Sequence, residues 1–298
     1  MDFMNGTRRQ ALASLAGTLL FARQNSSRLS VEGYIFQQYA ERQKKSLADV
    51  LDEVFEMARA AGFHNIEINH GFFTPELRER TLALLREKQL RMPSVYVGGA
   101  MHTKEAAEAT TARALEIARL CQPFGCVAVV NNPDPKPAAA QKTDEELATQ
   151  AAALNNLGRV LKDSAYELRV HHHTPELVAN AREWRHILNN TDGQYVKLCL
   201  DLDWVHQGGF EPLDLLREAG ARVREIHVRN SKDKLWLEAL EDGDVDYREI
   251  AAFMKHGGLR PLIVVELAYR DNTAVSRPLV EDLRLSRVYA ERVFALHA

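Results

Sequence analysis

The 298-residue sequence predicts an α/β chain folded as a single (β/α)8 TIM barrel. Two observations carry this expectation. From Leu29 onward, short apolar or β-branched runs alternate with longer segments of helical period, eight times over, which is the rhythm of repeated βα units. The last four runs each close on a side chain of metal-ligating type: His171, Asp201, His227 and Glu266. In a barrel of parallel strands all such ends open at one mouth, so residues scattered through the second half of the chain would converge there.

The strands are expected near 30–36, 64–68, 91–97, 126–130, 167–171, 195–201, 223–227 and 261–266. Helices are expected over 46–61, 75–88, 103–120, 144–162, 175–188, 211–219, 246–255 and 280–296. Ser46 heads an apolar-periodic run as an N-cap, and Thr74-Pro75-Glu76 and Thr174-Pro175-Glu176 each pair a capping hydroxyl with Pro in the first turn. Gly62, Gly257 and Gly258 stand where helices must stop and turn back. The Pro-rich run from Asn131 to Pro137 continues neither element and reads as a loop after the fourth strand.

With 46% hydrophobic residues the chain can bury one large core, and a barrel of this length is ordinarily one domain. A formal net charge of -3 provides no basic field for a phosphate backbone, which argues against nucleic acid as a partner. Residues 1–28 are set apart. Thr7-Arg8-Arg9-Gln10 followed by the apolar run Ala11 to Ala22 resembles a twin-arginine export signal, and the run is too short to span a bilayer. The expected itinerary is export to the periplasm or beyond without stable membrane association, with the barrel occupying 29–298. Cys126 and Cys199 read as small buried hydrophobes, while a Cys121–Cys126 disulfide is compatible with an oxidising compartment.

Carboxylate oxygen and imidazole nitrogen together suit a divalent ion such as Mn²⁺, Mg²⁺ or Zn²⁺. Glu266 is the strongest candidate, because a carboxylate closing the run Leu-Ile-Val-Val meets a costly environment unless it is paired; a structural ion pair is the competing reading. Asp201 and Asp203 share a strand face if the sixth strand runs that far. In His171-His172-His173, alternation places the first and third on one side. Which of His171, His173 and Glu176 completes the shell stays open at this level. Glu67 reads as one half of a structural pair, and Arg229 and Lys234 as contacts to an anionic group or as solvated loop residues.

Several short motifs, taken in order, resemble the sugar phosphate isomerase/epimerase superfamily of xylose-isomerase-like barrels. They are Val170-His-His-His-Thr-Pro-Glu176, Leu200-Asp-Leu-Asp-Trp204, Ile226-His-Val-Arg-Asn230, Asp242-Gly-Asp-Val-Asp246 and Val265-Glu266. The resemblance implies a metal held by His171, Asp201, His227 and Glu266. His171 stands where that family has a glutamate, which puts symmetrical two-base epimerisation in doubt; Trp204 and Asn230 also depart from its pattern. The implied activity is metal-dependent isomerisation or epimerisation of a small carbohydrate or cyclitol through an enediolate, with Glu266 and His173 moving protons and His70, Trp204 and Arg229 contacting substrate. The triple histidine also resembles the inosose dehydratase branch, so dehydration of a keto-sugar is the alternative. An endonuclease-like site would need a basic groove, and a non-catalytic sugar-binding barrel is the reading from outside enzymology.

Overall fold

A computed structural model describes residues 28–271, 273 and 275–296; the export-signal motif lies outside the described residues. Eight parallel strands form the barrel: β1 Leu29–Glu32, β2 Ile66–Glu67, β3 Ser94–Tyr96, β4 Ala128–Asn131, β5 Glu167–Val170, β6 Val196–Asp201, β7 Val223–Val228 and β10 Leu262–Val265. Continuous pairing runs β2-β1-β10-β7-β6-β5-β4-β3, and the parallel bridges Asn65 to Arg91 and Asn69 to Tyr96 nearly close the ring between β2 and β3. A two-stranded hairpin, β8 Ser231–Lys232 with β9 Leu235–Trp236, rises after β7 at the mouth.

Around the ring lie α1 Tyr34–Arg42, α2 Leu47–Ala60, α3 Arg78–Glu87, α4 Lys104–Cys121, α5 Asp144–Asp163, α6 Thr174–Asn190, α7 Leu202–Gln207, α8 Pro212–Ala219, α9 Tyr247–His256 and α10 Leu279–Val293. The starts follow local chemistry. Ser46 and Asp49 form a reciprocal capping box on α2, Thr143 and Glu146 do the same on α5, and the Asp246 carboxylate accepts from two backbone N–H groups of α9. Each helix turns its apolar stripe to the sheet; in α2, Val50, Leu51, Val54, Phe55 and Ala58 are buried at helical spacing. Gly62 leaves that helix at φ +91°, a conformation a side chain would strain.

Several boundaries differ from the sequence expectation. The first strand stops at Glu32 and the chain turns into α1 rather than continuing extended to Phe36; glycine suits position 33, where a Cβ would lie 2.7 Å from Ile68 Cγ2. Thr74 to Leu77 forms a turn, so α3 begins at Arg78. Residues 178–181 of α6 leave helical geometry, with positive φ at Ala179, Asn180 and Ala181. All three cysteines are buried free thiols, so Cys121 and Cys126 are not bridged. No helix among the described residues is long and apolar enough to cross a membrane.

Candidate active site

Below the mouth, the barrel interior is ionic rather than purely aliphatic. Arg169 donates to Glu225 at 2.7 Å, Ser94 bridges Glu225 and Glu67, and Glu67 Oε1 lies 3.1 Å from His227 Nε2. All of these side chains are buried, so each charge depends on its neighbours for solvation. Glu67 therefore sits in a structural ion cluster, close to His227 Nε2 without a hydrogen bond to it, and His227 Nδ1 lies 2.5 Å from Glu266 Oε2.

The four residues expected to hold a metal are brought together. One donor atom from each of His171, Asp201, His227 and Glu266 lies within 4.8 Å of the others. That spread is close to twice a metal–ligand bond of ~2.0–2.2 Å. His171 and Glu266 extend their strands by one ladder bond each, to Asn131 O and Val228 O, which fixes where their side chains leave the backbone. Among the described residues His171 Nε2 is buried without a hydrogen-bond partner, and it lies 3.8 Å from both Asp201 Oδ2 and Glu266 Oε2. An orphaned imidazole nitrogen aimed at two carboxylates is a donor set that fits a divalent ion. Of His171, His173 and Glu176, His171 is the one whose ring nitrogen lies within the cluster. His172 turns away and accepts from Asp201 N, while Glu176 accepts from His173 N at the start of α6.

Asp201 and Asp203 do not share a strand face, because β6 ends at Asp201, whose carboxylate caps α7 by accepting from Trp204 N. Asp203 instead takes the Trp236 indole N–H and the Ser231 hydroxyl. Arg229 is the residue least anticipated. Far from a solvated loop position, it is 1% exposed, with Nη1 on Glu266 Oε1 at 2.7 Å, Nη2 on Asp201 Oδ2 at 2.9 Å and Trp204 and Trp236 stacked about its guanidinium. Lys234 stays exposed on the hairpin.

Above the cluster opens a cavity of about 530 Å³ lined by Glu266, His173, His70, Trp204 and Arg229, five residues expected to face substrate or move protons, and also by Glu32, Tyr34, Tyr96 and Trp236. His173 stands edge-on to Trp204 at 5.4 Å between ring centroids, and burial lowers its pKa to about 4, leaving the ring neutral. Against the cost of burial, the Arg229 guanidinium holds Glu266 well below the usual carboxylate range. Glu32 moves the other way: burial, then the charges of Glu266 and Glu67, push it well above that range. The sequence reading missed Glu32, although it closes Leu-Ser-Val as Glu266 closes Leu-Ile-Val-Val; extending the first strand to Phe36 hid that parallel.

The family described as xylose isomerase-like TIM barrel matches residues 9–287. This chain belongs to that family. Its members include enzymes of sugar isomerisation and epimerisation, and the fold follows suit. An inosose dehydratase of Clostridium perfringens is 25% identical over 167 residues, 50% of this chain and 56% of that protein, so the chain matches about half the length of this curated relative. The solved L-ribulose 3-epimerase superposes with a TM-score of 0.67 at 15% identity, covering 90% of this chain and 94% of that one. A xylose isomerase-like protein from Mycobacterium smegmatis, solved in complex with magnesium, gives a TM-score of 0.66 at 15% identity over 84% of this chain and 90% of its own.

Proposed function

We propose that this protein is a divalent-metal-dependent isomerase or epimerase of a small sugar or cyclitol carrying a carbonyl. The observation that supports this most is the convergence of His171, Asp201, His227 and Glu266 beneath a cavity large enough for a monosaccharide. A bound divalent cation would polarise the substrate carbonyl and acidify the adjacent C–H. Magnesium in the Mycobacterium smegmatis relative favours a hard cation of this kind.

The chain's own residues supply the rest. Glu266 has one oxygen on Arg229 and the other beside His227, so its work is to hold and neutralise rather than to take up a proton. His173 is neutral, lines the cavity and is the better general base. Trp204, Trp236 and Tyr96 present apolar faces to the C–H face of a sugar, and His70, with a buried Nδ1 that has no partner among the described residues, is placed to bond a hydroxyl. Arg229 lines the same cavity, but its guanidinium is committed to carboxylates and is better placed to orient them than to bind an anion.

Dehydration of a keto-sugar is the second reading, favoured by histidine in place of the family's glutamate at position 171 and by the inosose dehydratase relative. Both begin with the same proton removal and differ in whether a hydroxyl then leaves. The test is metal analysis of the purified protein followed by NMR of ketoses and keto-inositols in deuterated buffer. Deuterium at the carbon beside the carbonyl with inversion or carbonyl transfer supports the first reading, an unsaturated product supports the second, and a metal-free protein inert after loading sinks both. The apolar run and paired arginines near the N-terminus further lead us to propose export through the twin-arginine route.

A further inference from the structure

The ring order places β1 and β5 four strands apart in either direction, so the residue closing β1 and the residues following β5 face one another across the mouth. Glu32 closes β1 and His173 follows β5, and both line the one cavity. Glu32 is 3% exposed, and one carboxylate oxygen accepts the Tyr34 N–H, which pins the group at the turn into α1. Among the described residues no cation is bonded to it, unlike Glu266, Asp201 and Glu225, each of which is bonded to an arginine. A buried carboxyl that faces the cavity with no arginine bonded to it is free to exchange a proton with what enters there.

We propose that Glu32 is the second proton-transfer group of the site, acting from the face of the substrate opposite His173. The inference rests on the isomerase or epimerase reading. In epimerisation the C–H bond beside the carbonyl breaks, its proton passes to a ring nitrogen of His173, and its electron pair moves toward the carbonyl oxygen. The Glu32 O–H then delivers its proton to the same carbon from the other side, the electron pair returns to form the new C–H bond, and the configuration inverts. Glu32 is left as carboxylate and His173 as imidazolium, and exchange with water restores both. This places the second acid/base on strand one, where histidine at position 171 has removed the glutamate from strand five.

The test uses the full-length Mg²⁺-loaded protein, the D-ketohexoses as probes and NMR in deuterated water. With Glu32→Gln, one epimer should still exchange its proton for deuterium through His173, while the other does not and turnover falls at least ~10²-fold. His173→Asn should show the reverse preference between the two epimers. Wild-type turnover by Glu32→Gln, or loss of exchange in both epimers with Mg²⁺ binding intact, overturns the assignment. Should Glu32→Gln not fold, Glu32→Asp keeps the carboxyl and should retain a reduced rate; full loss with Mg²⁺ still bound counts against it. No exchange by the wild type with any probe counts against the functional reading itself. An infrared difference between wild type and variant then decides Glu32 alone: a protonated carboxyl at neutral pH supports the proposal, and an ionised one overturns it.

Discussion

Arg229 donates to Glu266 Oε1 at 2.7 Å, and through its other terminal nitrogen it donates to Asp201 Oδ2, so one buried cation spans two of the four metal-type residues. The pairing leaves Glu266 Oε2 directed at His227 and His171, and it keeps the buried Glu266 carboxylate charged, while burial pushes Asp201 up to about 8 despite the same guanidinium. A cation with five donors in a planar fork suits this task; a lysine would reach one carboxylate at a time.

Arg229→Met should therefore destabilise the metal-free protein by about 3–5 kcal/mol, since it strands Glu266 as an uncompensated buried charge. Urea denaturation in the presence of chelator measures this. Added Mg²⁺ should narrow the gap between variant and wild type, because the ion supplies the missing positive charge. A variant as stable as the parent in chelator would show that the pair is dispensable.

Asp201→Ala, His227→Ala and Glu266→Ala should each lose at least ~10-fold in cation affinity, the lower end of what even an outer-shell change costs, while circular dichroism stays that of a folded barrel. Isothermal titration with Mn²⁺ checks it. Unchanged affinity in all three would remove the metal site.

His171 makes a pH prediction. Burial first, then the neighbouring His173 and His227, hold its pKa well below the ordinary imidazole value, so the ring is already neutral and able to ligate at pH 6. An imidazole ligand at its ordinary value would lose metal as pH falls through ~6.5. The structure moves His171's share of that loss to lower pH. Comparing Mn²⁺ affinity of wild type and His171→Ala between pH 7 and 5 isolates its share, and equal affinity of the two at every pH would show that His171 is not a ligand.

Glu176 is pushed up to about 7 by burial and then by Glu183. A glutamate in the unfolded chain titrates near ~4.3, so above that pH the unfolded state sheds a proton that the native state keeps. Its contribution to native stability should fall as pH rises from ~4.3 to about 7. Glu176→Gln keeps an acceptor for His173 N and removes this slope, gaining up to ~4 kcal/mol at pH 8. Denaturation midpoints of the two proteins at pH 5 and pH 8 provide the measurement, and parallel pH profiles would refute it.

Replacing Arg8 and Arg9 together by lysine should leave the protein in the cytoplasm, because a paired guanidinium signal is read where two ammonium groups are not. Fractionation of cells expressing both forms tests this, and equal periplasmic recovery would count against export by this route.

Periodicity by itself determined the barrel, because alternating strand and helix runs have few ways to bury their apolar faces, and strand ends in a parallel barrel all point to one mouth. That rule was enough to bring His171, Asp201, His227 and Glu266 together from positions nearly a hundred residues apart. Tertiary structure alone decided what those groups do to one another. Arg229, two residues beyond a strand histidine, reads as a loop cation until the hairpin folds over it and Trp204 and Trp236 close around it. Asp203 parts from Asp201 because α7 begins between them. Glu32 becomes a cavity wall where the chain turns at Gly33, a position with no room for a Cβ beside Ile68, a contact between elements that no local pattern records.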